Sequence, residues 1–229
     1  MCGRYALLTS TPEIARILGL DGEWETISPR YNVAPTQLMP VARVNQAGEI
    51  ELTTMRWGLV PFWAKDLKIG HKMINARSET AAEKPSFRAA LRQRRCLIPV
   101  DGYYEWRRRE DGQKQPYYIQ AEDGRTAFMA GLWESWRNRE TDETVLSYSI
   151  LTAAAGPALE AVHHRMPVFI QPQEREAWLR LPADQDQAIS ALLQQQVAAG
   201  QRNEFSIAPV STAVNNPRND DERCVQAIA

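Results

Sequence analysis

Met39-Pro40-Val41-Ala42-Arg43-Val44-Asn45-Gln46-Ala47-Gly48-Glu49-Ile50-Glu51-Leu52-Thr53-Thr54-Met55 decides the fold class. Two short runs of strand character, Met39 to Val44 and Ile50 to Met55, flank Gln46-Ala47-Gly48, and so short a link containing a glycine favours an antiparallel hairpin over a β-α-β crossover. Glu122-Asp123-Gly124 repeats the device between Pro116 to Gln120 and Ala127 to Trp133. Further runs of this kind are Cys96 to Trp106, Val145 to Leu151, Pro167 to Ile170 and Phe205 to Val210, about eight strands in all. Helical signals are fewer. Thr11-Pro12-Glu13 reads as a cap with proline in the first turn of a short helix, and Ser86 as the cap of a second. Pro172 opens a third through Trp178 and Leu181, and Ala188 to Ala199 forms a fourth that ends at Gly200. The expectation is an α+β fold: a single compact β-rich domain over residues 1–229, with a mainly antiparallel sheet core flanked by short helices.

Composition bounds the rest. In 229 residues, 44% are hydrophobic and 24% charged, near globular averages, which excludes the disordered and collagenous classes. No apolar run approaches the roughly 18 residues of a membrane span, and Met1-Cys2-Gly3-Arg4 does not open like a secretory signal, so a cytoplasmic protein without membrane attachment is expected. Three cysteines, Cys2, Cys96 and Cys224, with no C-x-x-C spacing argue against a disulfide framework and a thiolate zinc site. Neither a metal nor a cofactor is expected. The net charge of −1 conceals segregation: 14 Lys/Arg face 7 Asp/Glu between Arg56 and Gln115, whereas 5 basic residues face 8 acidic ones from Ile170 onward. The basic stretch is interleaved with Trp57, Phe62, Trp63 and Trp106, the combination single-stranded nucleic acid sites use for phosphate contact and base stacking. A helix face solvated by arginines and a buried Trp57 would produce the same pattern.

Cys2 is the first candidate for chemistry. Removal of Met1 would leave a free α-amine and a thiol on one residue, with reference pKa values of about 7.7–8.0 and about 8.5, and Arg4 is placed to enrich the thiolate. Such a pair can attack an acyl group through sulfur, or form an imine with an aldehyde and close a five-membered thiazolidine ring. An incidental cysteine at a frayed terminus is the plain alternative. Glu105, in Asp101-Gly102-Tyr103-Tyr104-Glu105-Trp106, alternates with aromatics, so a strand would set it on the face of Tyr103 and opposite Tyr104 and Trp106. A carboxyl there would either have its pKa raised by an apolar pocket or pair on the surface with one of Arg107 to Arg109. His163 and His164 precede Arg165-Met166-Pro167; one of the pair can act as acid or base, although a structural histidine fits as well. Asn75 and Arg77 share a face if their segment is extended, which suits holding an amine and a phosphate together; an ordinary polar loop is the plainer alternative.

Met1-Cys2-Gly3-Arg4-Tyr5, Arg30-Tyr31-Asn32-Val33-Ala34-Pro35, Trp57-Gly58-Leu59-Val60-Pro61, Ile74-Asn75-Ala76-Arg77-Ser78-Glu79-Thr80, Gly102-Tyr103-Tyr104-Glu105-Trp106 and His163-His164-Arg165-Met166-Pro167 together resemble the SOS response-associated peptidase (SRAP) family, over residues 2 to about 216. The resemblance implies a single compact domain that recognises abasic sites in single-stranded DNA, and a monomer is expected. It further implies capture of the sugar aldehyde by Cys2 as a thiazolidine cross-link after loss of Met1, with lyase-type chemistry and self-removal of Met1 within the family's reach. Carried over residue by residue, it makes Cys2 the nucleophile, Asn75 the residue that orients it, Glu105 the proton-transferring carboxylate and His163 the histidine that assists sugar ring opening. Arg4, Arg77 and Arg165 fall on phosphate-contacting positions, and Trp106 and Trp63 on stacking positions. The stretch after Asn216 departs from the family pattern and is assigned no role.

Two other classes compete. Class II glutamine amidotransferases also begin Met-Cys-Gly, but they use a substrate loop with arginine-glycine or asparagine-glycine that is not evident here, and a basic tryptophan-rich surface has no purpose in them. A non-enzymatic reader of single-stranded or modified DNA would leave Cys2 incidental.

Overall fold

The computed structural model describes residues 2–228. The expected loss of Met1 therefore concerns a residue outside those described. Twelve strands run in chain order among the described residues: β1 (Tyr5–Leu7), β2 (Arg30–Val33), β3 (Leu38–Val44), β4 (Ile50–Trp57), β5 (Asn75–Arg77), β6 (Arg95–Val100), β7 (Gly102–Arg108), β8 (Lys114–Ala121), β9 (Ala127–Arg137), β10 (Thr144–Ala154), β11 (Arg165–Pro167) and β12 (Phe205–Pro209). Five α-helices accompany them among the described residues: α1 (Thr11–Ile17), α2 (Arg88–Gln93), α3 (Pro157–Glu160), α4 (Arg175–Arg180) and α5 (Asp186–Gly200). The α+β expectation holds.

The strands form two sheets. One has the order β12-β8-β7-β1-β2 and is antiparallel throughout. The other runs β11-β10-β4-β3-β6-β9, and β9 pairs again with β10, so the sheet closes on itself like a barrel and leaves few edges to protect. Its two parallel pairings, β4 with β10 and β5 with β10, are the exceptions to an otherwise antiparallel design. The hairpin read around Gly48 forms as β3 and β4, in register from Leu38↔Arg56 to Val44↔Ile50. Asn45 staples it: its Oδ1 accepts from the amides of Ala47 at 2.9 Å and Glu49 at 3.0 Å, while Gly48 takes the positive φ of 83° that the turn requires.

The apolar run Cys96 to Trp106 is two strands, not one. The chain leaves the barrel at Asp101, whose carboxylate accepts from the amides of Leu8 (2.5 Å) and Thr9 (2.8 Å) and from the Thr9 and Thr126 hydroxyls (2.8 Å each). Four donors on one carboxylate pin the corner, so β6 stays in the barrel and β7 enters the other sheet. A side chain at Gly102 would meet the Tyr118 ring within 2.3 Å, so the corner admits no larger residue without displacing that ring.

Three helix expectations shift in detail. Ser10, not Thr11, caps α1, its hydroxyl accepting from the Glu13 amide at 3.4 Å. Helix α2 begins at Arg88 after Phe87, without a side-chain cap, so Ser86 does not serve it. α5 starts two residues earlier than read, at Asp186. The strand read over Pro167 to Ile170 lies earlier as β11, with only an isolated bridge from Phe169 to Met129 beyond it.

Trp57 belongs to the core and to no stacking platform. It is fully buried, its ring lies 5.2 Å from Tyr5 and stacks at 6.4 Å on Tyr148, and its indole Nε1 donates to the Ile74 carbonyl at 2.9 Å. The hydroxyls of Tyr5 and Tyr148 meet at 2.8 Å. One aromatic cluster thus anchors both β1, which follows Cys2, and the residue preceding Asn75. No helix among the described residues is long and apolar enough to cross a membrane.

Candidate active site

Neither β1 nor β5 has more than three residues, yet they carry the centre of the site. Cys2 lies just ahead of β1, and Asn75 opens β5, which the parallel pairing Ile150↔Asn75 holds against β10. The Asn75 amide Nδ2 donates to the Cys2 carbonyl at 2.8 Å, while its Oδ1 is buried without a hydrogen-bond partner among the described residues. Cys2 is fully buried, and its thiol lies 3.7 Å from the Arg4 carbonyl. Burial first, and the negative charge of Glu105 second, push the thiol pKa well up. The sequence suggests Arg4 as a source of thiolate. Its guanidinium points elsewhere, donating at 2.7 Å to both Asn32 Oδ1 and the Val214 carbonyl, so that role is withdrawn.

Glu105 occupies β7 as the alternation requires: it and Tyr103 are buried with the main core, whereas Tyr104 and Trp106 pack on the opposite side with Tyr118 and Val214. Only 3% of Glu105 is exposed, and burial raises its pKa, which removes the surface ion-pair reading. His163 Nδ1 lies 3.0 Å from the Arg165 amide and 3.8 Å from Glu105 Oε1. Nδ1 also lies 3.2 Å from the Arg165 carbonyl, and donation to that oxygen leaves Nε2 free to take a proton. Desolvation lowers the His163 pKa, so with both groups shifted toward neutrality the 3.8 Å approach is no full ion pair. His164 stacks on His163 with ring centroids 4.4 Å apart.

The raised Glu105 pKa fixes the sign of a stability effect. Between the unfolded and folded pKa values the native state binds more protons, so stability falls as pH rises through that window. Glu105→Gln removes the buried charge and should raise Tm at pH 8 by roughly 2–4 °C, the shift that accompanies about 1 kcal/mol in a chain of this size. The advantage should vanish near pH 4; calorimetry at both pH values checks it, and a lowered Tm at pH 8 would contradict the buried-charge account.

The other expected residues divide into two groups. Arg77, at the end of β5, is exposed on the side of Asn75. Arg165 on β11 is close by but already engaged: it grips Glu79 at 2.5 and 2.9 Å and donates to the Thr152 carbonyl at 2.6 Å. Trp106 is half-buried, and its Nε1 donates to Asn215 Oδ1 at 2.7 Å, beside the segment that holds Arg4. Trp63, 47% exposed, stands apart, lining a groove of about 700 Å³ with Lys65, Lys68, Trp136 and Arg139. The basic stretch is partly structural, since Arg95 is buried and donates to the carbonyls of Trp178, Leu91 and Arg92. Arg94 likewise pairs with Glu134 at 2.9 Å.

Sequence reasoning missed the clamp behind the site. Fully buried Asn32 donates through Nδ2 to the carbonyls of Val214, Asn216 and Asn219, and Asp220 accepts from the backbone amides of Tyr31 (2.6 Å) and Asn32 (2.8 Å) and from Arg30 Nε (2.5 Å). The segment after Asn216, assigned no role, therefore fastens β2 and stands behind Arg4. The one hint is an asparagine between Tyr31 and Val33 in an otherwise apolar stretch.

A family model described as SOS response associated peptidase (SRAP) matches residues 1–217. The chain belongs to that family. Among similar SRAP relatives, "Abasic site processing protein YoqW" of Bacillus subtilis (strain 168) is 36% identical, covering 99% of this chain and 100% of its own. "Abasic site processing protein YedK" of Escherichia coli (strain K12) is 32% identical over all of both chains, and "Abasic site processing protein HMCES" of Xenopus tropicalis is 31% identical, covering 100% of this chain and 78% of its own. A crystal structure of a protein from Bacteroides thetaiotaomicron superposes with a TM-score of 0.84 at 26% identity, covering 100% of both chains. Within this SRAP fold, Cys2, Asn75, Glu105 and His163 come from β1's approach, β5, β7 and the turn before β11, which only the two-sheet topology brings together. Cys2, Cys96 and Cys224 are all free and buried.

Proposed function

We propose that this SRAP chain, acting as a monomer after loss of Met1, binds single-stranded DNA at an abasic site and captures the sugar aldehyde on Cys2 as a thiazolidine. The observation that carries the reading is the Asn75–Cys2 hydrogen bond. It fixes the N-terminal residue by its carbonyl, and the free Oδ1 of the same amide can accept from the α-amine that loss of Met1 exposes.

The steps follow from the groups present. The abasic sugar is mainly a closed hemiacetal; neutral His163 takes the proton of its C1 hydroxyl and hands it to the ring oxygen as the bond from C1 to that oxygen breaks, and the aldehyde opens. The Cys2 amine adds to C1 to give a carbinolamine. Glu105, whose raised pKa keeps a protonated fraction available, donates to the departing hydroxyl, and water leaves as the imine forms. The Cys2 sulfur then adds to the same carbon, its proton passing through Glu105 to the nitrogen, and the ring is closed. One water is released overall. Burial of the thiol favours its neutral form until the imine is in place, which fits sulfur acting second. Self-removal of Met1 requires attack at the Met1–Cys2 peptide bond and belongs to this proposal.

For binding, exposed Arg77 is the phosphate contact of choice, because Arg4 and Arg165 already spend their donors within the chain. Arg77→Ala should weaken binding to intact and abasic strands alike and flatten the slope of log K against log salt by about 0.7, the value for one single-strand phosphate. An unchanged slope in a fluorescence titration would remove Arg77 from the interface. Trp106 and Trp63 offer stacking surfaces, Trp63 with more of its ring free. The whole reading is tested by incubating the protein with abasic single-stranded DNA and running a denaturing gel: a retained adduct supports it. Binding without adduct would leave only a reader of DNA.

A further inference from the structure

Tyr103 stands out among the tyrosines around the site. The Tyr104 hydroxyl donates to the Tyr31 carbonyl at 2.5 Å, and those of Tyr5 and Tyr148 satisfy each other. Tyr103 is 1% exposed, and its hydroxyl has no hydrogen-bond partner among the described residues. A buried hydroxyl left unpaired destabilises the fold, and a phenylalanine would fill nearly the same volume without that cost. The position is not remote. Tyr103 lies two residues before Glu105 on the same face of β7, and the pairing Tyr5↔Tyr103 sets it against the strand that Cys2 leads into. Its ring leans on Phe169 at 6.2 Å between centroids, which restrains it from swinging to solvent. The phenol's own ionisation is opposed by burial and then by negative charge on Cys2 and on Glu105, so both groups are within electrostatic reach. The guanidinium nearest Cys2 in sequence, that of Arg4, is turned away toward Asn32 and Val214.

We infer that the Tyr103 hydroxyl is the hydrogen-bond donor to the Cys2 sulfur at the moment the thiol gives up its proton. The inference rests on the reading of Cys2 as the capturing residue and supplies what that reading lacks, a group that stabilises negative sulfur in a buried site. In the closing step the thiol proton moves to the Glu105 carboxylate, the sulfur forms its bond to C1, and the C=N electron pair returns to nitrogen, which takes the proton back from Glu105. The Tyr103 O–H bond stays intact throughout; it donates to the sulfur as charge grows and is released when the S–C1 bond forms. An unsatisfied donor in the resting protein is thereby matched to charge that exists only during reaction, where a buried donor counts most.

Tyr103→Phe separates this role from a structural one because its effects run in opposite directions. Removal of an unpaired hydroxyl should raise Tm by roughly 2–4 °C, while single-turnover capture of abasic single-stranded DNA should slow about 10- to 100-fold, the range for a hydrogen bond to a charged group. A second readout avoids DNA: alkylation of Cys2 by iodoacetamide across pH, followed by mass spectrometry of the N-terminal peptide, should shift to higher pH in the variant. Wild-type alkylation and capture in Tyr103→Phe would overturn the inference, and so would a fall in Tm, which would mark the hydroxyl as structural. Should the wild-type protein form no adduct at all, the reading of Cys2 fails separately, and the alkylation profile still decides the role of Tyr103.

Discussion

Cys2→Ala should form no denaturation-resistant adduct with abasic single-stranded DNA while retaining most of its non-covalent affinity. The substitution deletes the sulfur and leaves every exposed cation in place, including Arg77. It also leaves the main-chain carbonyl that accepts from Asn75, so the approach to β1 should keep its course. The amine that remains could still form an imine, but an imine hydrolyses on denaturation, whereas a thiazolidine has a second covalent bond at the same carbon. Loss of adduct should therefore be complete in a denaturing gel, at least on the scale of a hundredfold in signal, with less than a twofold change in a binding titration. A stable adduct in Cys2→Ala would remove the thiazolidine from the account. An uncleavable N-terminal extension should reproduce the defect by blocking the amine, and normal capture by such a protein would show that the amine is not the reacting group.

Glu105→Gln carries the second large effect. Glutamine keeps the shape of the side chain and can still hydrogen-bond, but it exchanges no proton, and it would replace the carboxylate whose Oε1 lies 3.8 Å from His163. Capture should slow by roughly 10²–10⁴-fold, the usual contribution of a positioned acid or base, with DNA affinity nearly unchanged. The wild-type rate should also fall as pH rises past the elevated Glu105 pKa, since protonated Glu105 is the form that drives water from the carbinolamine. Quenched single-turnover reactions across pH measure both. A Glu105→Gln protein that reacts at the wild-type rate, or keeps the wild-type pH profile, would move the proton transfer to another group. The same substitution is expected to stabilise the folded chain at pH 8, so a slow variant cannot be dismissed as a damaged one.

Much of this site is legible in the sequence because its residue types are local and chemically loaded. Alternation alone puts Glu105 on the Tyr103 face, and burial then decides between the raised-pKa and surface-pair readings. The hairpin around Gly48 is readable because a turn with a side-chain staple is a short-range event. What escapes is long-range. β1, β2 and β5 are three or four residues long, too short for periodicity to register, and exist because longer neighbours pair with them. The corner at Asp101 depends on donors from Thr9 and Thr126, far away in sequence, so an apolar run that reads as continuous is split between two sheets. Side-chain direction escapes as well. Arg4, beside Cys2 in sequence, turns back to fasten Asn32 and Val214, and several arginines of the basic stretch hold carbonyls and carboxylates of the protein itself. The clamp through Asp220 lies in a segment whose composition resembles an ordinary polar loop, so nothing local marks it.

Intact mass of the purified protein, before and after incubation with a single-stranded oligonucleotide bearing one abasic site, tests the central claim most directly. The account predicts a starting mass lacking Met1, then a species equal to that protein plus the oligonucleotide minus one water, unchanged in amount or mass by borohydride and mapped to the Cys2 peptide. An adduct on a chain that retains Met1, an adduct on another peptide, or a complex that gains two hydrogens with borohydride as an imine does would contradict it.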